Sequence, residues 1–276
     1  MLYTKEALWT LLRIETSDEL SRDRIESIFD TVFLFEQRYS RFIKWNFLSK
    51  LNASWKAPLD EELRTLLKAS NSVFEISSWY FDMTLTPLLE NLGYGISKTQ
   101  EKEIFGMEHI EVSDSIVILK NGVQLDFWGI GKGYLIDKIY AQLELECSNF
   151  IINFWGDIKV KGSHTLWLED PLTPWRLLGE LIVENISLCG SSWEKRKFWT
   201  SHHLINPKTK KSQEDTLAVF TTHRLAIFAD MYATALFVSP LEISLEILEK
   251  VEGLEALIVT RSWEMFQSRG FGAQLF

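Results

Sequence analysis

Cysteine is nearly absent: of 276 residues only Cys147 and Cys189 are cysteine, far apart and in no CxxC or Cys/His spacing. That excludes a disulfide framework and a cysteine-based zinc site, and leaves two ordinary buried thiols as the expectation. Proline is scarce as well, with 6 in the chain, and no Pro/Gly/Ser linker, low-complexity tract or fixed-period repeat divides it. One unit over residues 1–276 is therefore expected. No run approaches the roughly 18 uninterrupted apolar residues of a membrane span. The N-terminal residues 1–10 lack a basic segment followed by a long apolar stretch and carry no lipobox-like cysteine, which reads as a cytoplasmic protein. Excess positive charge is also missing. A formal net charge of −9 and a pI near 5.2 give no electrostatic reason to bind a nucleic acid over a large surface, so any phosphate recognition must be local.

What is present is apolar: 46% hydrophobic and 13% aromatic residues, enough to bury a sizeable core. A strand over residues 9–15 is expected to lead into a helix in which Ile25, Ile28, Phe29, Val32 and Phe33 recur at helical spacing, capped by Ser21 or Asp23. A second helix is expected to start near Pro58 and Asp60 and to bury Leu63, Leu66, Leu67 and Val73. Residues 116–120 and 123–126 flank Asn121-Gly122, which predicts a β-hairpin on a type I′ turn. The second strand would run into Gly129-Ile130-Gly131-Lys132-Gly133 and then an amphipathic helix over 134–145. Further β-runs are expected at 151–159, 165–168, 177–188, 217–221 and 256–260, with helices over 230–238 and 241–251. Strands joined by hairpins, mixed with helices that do not alternate strictly, point to an α+β fold.

Several segments carry candidate chemistry. A glycine turn ahead of a helix lets backbone amides approach phosphate oxygens, although the spacing here is GxGxG and fits neither the dinucleotide fingerprint nor the P-loop. His202 and His203 are adjacent on an extended segment, so they point to opposite faces and at most one enters a given pocket. Asp230 and Thr234, four apart on a helix, share a face that offers only oxygen donors, which suits Mg2+ better than zinc or copper. Asn153 to Ile158 ends a strand with an aspartate beside glycine, suited either to a ligand or to a turn. Lys195-Arg196-Lys197 and the lysines at 208, 210 and 211 read as solvated loops.

In their order along the chain these segments resemble the ApbE family of FAD:protein FMN transferases over nearly its whole length. Tyr39-Ser40-Arg41-Phe42 with Leu48 to Asn52 resembles the family's flavin-side segment. Phe81-Asp82-Met83-Thr84, Pro87-Leu88-Leu89 and Gly93-Tyr94-Gly95 resemble FDPT…PL…GYG. Asp126 to Tyr134 with Asp137 is similar to DLGGIAKGY…D, Asn153 to Ile158 to NxGGDI, His203 to Thr209 to HIIDPxTG, and Ala229 to Leu236 to ADAxATAL.

The resemblance implies an α+β, T-fold-like domain with mixed or antiparallel sheets and flanking helices. It implies FAD as substrate, Mg2+ as cofactor, and transfer of FMN to a threonine or serine of an acceptor protein with release of AMP. By the same resemblance Gly131, through its carbonyl, Asp230 and Thr234 hold the metal. His203, Lys132 and Asp230 are the catalytic candidates. Phe42, Asp82, Thr84, Asp126, Gly129, Gly131, Gly133, Asn153, Asp157 and Thr209 are the candidates for FAD binding. Departures from the pattern stand out. Trp9, Trp128 and Trp155 occupy positions where the family usually has glycine, and Met83, Cys189, Asn206 and Lys210 replace other motif residues. The indoles could stack on the flavin or adenine, or fill the cavity. Three readings follow: the transferase, a non-catalytic flavin-binding or protein-interaction homologue, and an FAD pyrophosphatase using water as acceptor.

Overall fold

A computed structural model of the chain describes residues 1–93, 103–173, 175–193, 197–198 and 201–276, the side chains of residues 197, 198 and 201 excepted. Tyr94, Gly95, Lys195 and Arg196, named above, lie outside the described residues, as does the side chain of Lys197.

The centre is an eight-stranded antiparallel sheet in the order β1-β2-β6-β7-β10-β15-β16-β17. These strands are Leu2–Ala7, Thr10–Thr16, Phe150–Phe154, Asp157–Lys161, Ser187–Ser192, Thr216–His223, Glu255–Thr260 and Met265–Gln267. Two smaller three-stranded sheets flank it. One joins β8 (Ser163–Glu169) and β9 (Leu177–Glu184) to β18 (Gln274–Leu275), and the other joins β3 (Lys56–Pro58), β4 (Ile110–Val112) and β5 (Ile116–Leu119). The short pairs β11–β12 (Lys197–Phe198 with Ser201–His202) and β13–β14 (Ile205–Asn206 with Lys211–Ser212) form two further ladders.

Both faces of the central sheet are covered, and strand alternation assigns its residues to two cores. On β16, Ala256 and Ile258 join the larger core while Leu257 and Val259 join the smaller one. The larger core takes in helices α1 (Arg22–Tyr39), α3 (Glu61–Ile76), α5 (Gly131–Leu143), α6 (Ala226–Val238) and α7 (Leu241–Lys250), with α2 (Phe47–Ser54) at its margin. The short α4 (Thr86–Asn91) lies beside the cleft described below. The smaller core packs β8 and β9, through Leu166, Leu168, Leu181 and Val183, onto the opposite face. The α+β expectation with antiparallel sheets is met.

Local chemistry explains most elements. Ser21 caps α1, accepting from the Arg24 amide, and Asp60 caps α3, accepting from the Leu63 amide. Pro58, expected in the first turn of α3, instead ends β3. α6 is apolar nearly all round and is buried on almost every side, as such a helix must be.

The structure corrects four local expectations. Residues 123–126 do not form the second arm of a hairpin. Asn121 and Gly122 do turn with positive φ, but the Asn52 side chain both donates to the Leu125 carbonyl at 3.0 Å and accepts from the Leu125 amide at 2.9 Å, taking the place of a strand partner. β5 pairs with β3 and β4 instead. Trp9 lies in the turn between β1 and β2, and not in a strand. The runs at 151–159 and 177–188 each contain a reversal and form β6–β7 and β9–β10. Gly131 to Gly133 form the first turn of α5 itself, so the glycines belong to the helix N-terminus and not to a loop before it.

Candidate active site

The site is built where α5 and α6 cross. Gly133 allows the crossing: a Cβ there would run into the Ala226 carbonyl and the backbone of Ile227. Each helix supplies the cap of the other. Neither has a side-chain cap of its own. Asp137 on α5 accepts from the Ala226 and Ile227 amides at 3.0 Å each, and Asp230 on α6 accepts from the Gly133 amide at 3.0 Å. Both carboxylates therefore sit at the positive end of the other helix's dipole.

A lysine serves each carboxylate. Lys159 on β7 reaches Asp137 at 2.5 Å and is buried. Lys132 on α5 pairs with Asp157, at the start of β7, and stands 3.4 Å from Asp230. Asp157 also accepts from the Gly190 amide at 3.2 Å. One ammonium is thus shared by two buried carboxylates. Burial pushes the Asp230 carboxyl up to about 6; Lys132 opposes that rise and the neighbouring Asp157 adds to it.

This cluster opens into a cleft of about 1060 Å³ with its solvent-open space included. Lys132, Asp157, His203, Asp230 and Thr234 all line it, and so do Asp82, Asp126 and Gly129 on the facing wall. Burial pushes Asp82 up to about 6, against two hydrogen bonds from Thr84 that favour its ionised form. Apolar side chains, among them Leu85, Leu89 and Val238, make up much of the rest of the wall. The opposite-face expectation for the histidines holds: His203 lines the cleft, while His202 is buried and donates from Nε2 to the Gln213 carbonyl at 2.8 Å. Its Nδ1 accepts from the Leu204 amide at 3.2 Å, which fixes that tautomer.

The other sequence candidates lie beside the cleft. Gly131 lines a smaller neighbouring cavity, which shares Asp126, Trp128 and Lys132 with the first. Gly133 touches the site through its amide. Thr84 is buried behind Asp82 and also accepts from the Gly106 amide at 2.6 Å. Asn153 accepts from the Gly156 amide at 2.9 Å inside the β6–β7 turn. Thr209 is exposed, its amide held by Asn206. Phe42 packs edge-on against Trp128, with ring centres 5.5 Å apart, and so reaches the cleft only through that indole.

Two contributors were not singled out from sequence. Arg41, nearly buried, approaches Asp126 at 3.2 Å and Glu90 at 3.7 Å and ties the segment after α1 to the cleft wall. Gly190 orients Asp157 through its amide. No periodicity marks such residues; the pairing of β10 with β7 brings Gly190 there, and only the register shows it.

Solved structures share this architecture. The ApbE protein of Thermotoga maritima superposes with a TM-score of 0.87 at 22% identity, covering 98% of this chain and 97% of that one. The flavin transferase ApbE from Vibrio cholerae gives 0.85 at 18% identity, with 98% and 97% covered. The fold is thus that of a known group of flavin transferases. The ApbE family model matches residues 8–258, and the chain belongs to the ApbE family. Curated relatives carry a transferase name. The FAD:protein FMN transferase of Chlamydia pneumoniae is 26% identical over 233 residues, 73% of each chain. That of Klebsiella pneumoniae is 26% identical over 169 residues, a match spanning 52% of that protein's length. Among the described residues, no helix is long and apolar enough to cross a membrane.

Proposed function

We propose that this chain is an Mg2+-dependent FAD:protein FMN transferase, moving FMN from FAD to a threonine or serine hydroxyl of an acceptor protein and releasing AMP. The observation that carries the reading is the convergence of Asp230, Thr234, Lys132, Asp157 and His203 on one cleft.

The donor set fits a hard cation. No group of three or more His, Cys, Asp or Glu able to hold a metal occurs among the described residues. The protein would supply the Asp230 carboxylate, the Thr234 hydroxyl and the Gly131 carbonyl, and substrate phosphates and water would complete the shell, the usual arrangement for Mg2+. A bound cation would also supply the charge compensation that Asp230, sharing one lysine with Asp157, has only in part. When bound, it would neutralise the pyrophosphate and the charge developing on AMP.

The chain's own groups do the rest. Lys132 holds phosphate oxygens, and the start of α5, where the helix carries positive potential, favours their negative charge. Asp157 keeps the Lys132 ammonium in place. His203 takes the proton from the acceptor hydroxyl as it attacks phosphorus. Asp82 and Asp126 face the flavin and ribityl portion, with Thr84, Asn153, Thr209 and Phe42 fixing the loops around them. With an acceptor protein seated over the cleft, the apolar wall would limit access of water, which favours a protein hydroxyl over hydrolysis.

The test is to incubate the protein with FAD, Mg2+ and an acceptor bearing a flavinylation motif, and to follow covalent flavin by in-gel fluorescence together with AMP. Covalent FMN that disappears with chelator is expected. Bound FAD with no covalent product on several acceptors would overturn the reading. A second reading, a non-catalytic flavin binder, is favoured by Trp128 and Trp155 lining the cleft; calorimetric FAD binding without turnover is its signature.

A further inference from the structure

The backbone at the tryptophans is not tryptophan-like. Trp9, Trp45, Trp55, Trp79, Trp155, Trp175 and Trp263, seven of the chain's eleven, have φ between 57° and 71°. This left-handed region crowds the Cβ of any L-residue against its own backbone, and glycine alone enters it freely. The chain contains its own control. Among the described residues no phenylalanine or tyrosine has positive φ, out of 18 and 7 in the sequence, whereas seven of its 14 glycines do. The tryptophans follow the glycine distribution and not the aromatic one.

Their slots are glycine slots by turn chemistry as well. Trp55 ends α2 in the left-handed conformation, its amide donating to the Leu51 carbonyl at 2.8 Å. Trp79 closes the end of α3 with an amide bond to Phe74 at 2.8 Å, beside the Ser78 amide bond to Glu75. Both are helix ends where glycine is the favoured residue. Leu8-Trp9 and Trp155-Gly156 are two-residue hairpin turns with positive φ at both positions, the type I′ form. Trp175 occupies the third position of a turn closed by Arg176 to Thr173, and Trp263 the last position of the three-residue loop between Thr260 and Glu264. All seven side chains are exposed, Trp175 completely, so little burial offsets the backbone strain; Trp9 meets Phe42 edge-on at 5.7 Å and Trp79 stacks beside Phe74 at 6.3 Å. Strain held for catalysis does not account for them, because only Trp155 lines either cavity. Trp9 and Trp155 are, in addition, positions where the resembling motifs carry glycine.

We infer that these seven positions are glycine in the protein as its own cell makes it, inserted at a codon that the sequence renders as tryptophan. UGA fits, since it is a stop codon in most genomes but is read as tryptophan in some genetic codes and as glycine in others. For the site, the consequence is direct. With glycine at 155 the cleft loses an indole from its wall beside Asp157.

The inference is independent of the transferase reading, and its tests need no activity. The codons at the seven positions, and the masses of the peptides spanning them in protein isolated from its source cells, decide it: UGA codons and glycine masses are expected. UGG codons or tryptophan masses would overturn it. A second measurement compares the recombinant chain as written with one carrying Trp→Gly at all seven. The glycine chain is expected to melt higher by on the order of 10 °C, seven strained residues having been relieved in a protein of this size. An equal or lower Tm would count against the inference.

Discussion

Asp137 and Asp230 hold mirror-image positions, each capping the helix that carries the other, yet their surroundings differ. Asp137 is fully engaged: two amides and the Lys159 ammonium are directed at it, and Lys159 has no second carboxylate within ion-pair range among the described residues. Asp230 has one amide and a half share in Lys132, and it opens onto the cleft. The first arrangement is complete and therefore structural; the second is short of positive charge and therefore ready for a cation. On the function proposed above, the same residue type in nearly the same role serves as a clamp or as a cation ligand according to how far its charge is already balanced.

Four measurements can break or sharpen that contrast. Asp230→Ala should have the largest effect, lowering the rate of covalent FMN formation by about 10³-fold while the fold persists, the loss typical of removing a group that stabilises transition-state charge. Comparable turnover in the variant would end the ligand assignment. Asp137→Ala should act on stability, costing about 3 kcal/mol because Lys159 is left buried and two amides lose their acceptor, and lowering Tm by about 6–12 °C. If it melts like the parent, the clamp is decorative.

The third measurement uses pH. Asp82 rises to about 6 in the folded state from 3.8, chiefly through burial. Protonation thus favours the fold: the stability it contributes is whole below about pH 4 and is lost as pH climbs through 6. Asp82→Asn should remove about 1–2 kcal/mol of that decline in urea titrations run between pH 4 and 7. Unchanged pH profiles would mean that Asp82 is better solvated than its walls suggest. The smallest effect is Mg2+ itself, which at a few times its dissociation constant should stabilise the parent by about 1 kcal/mol and leave Asp230→Ala untouched. Equal shifts in both would place the ion elsewhere.

Much of this was legible in the sequence, for reasons that can be named. The starts of α1 and α3 are local chemistry: the sequence narrowed the α1 cap to Ser21 or Asp23 and placed the α3 start near Asp60, and the structure selects Ser21 and Asp60 as the caps. The oxygen-only face of Asp230 and Thr234 follows from helical spacing alone. The failures are long-range. Nothing near residues 123–126 announces that Asn52, more than seventy residues earlier, will occupy their hydrogen bonds. The reciprocal caps were invisible for the same reason: Asp137 and Ala226 are 89 residues apart. Trp9 and Trp155 misled in the opposite sense, because a bulky aromatic reads as strand where the backbone makes a turn.

The absence of any side chain on Gly133 reaches beyond sterics. Because α5 and α6 touch backbone to backbone there, the carboxylate at Asp230 is set relative to the amides of the first α5 turn before any ligand arrives. Assembly of the site is then an event of folding and not of binding. The amide hydrogens of Gly133, Ala226 and Ile227 should accordingly exchange with solvent only when the whole molecule opens, so that an intact fold and an assembled site become one observable.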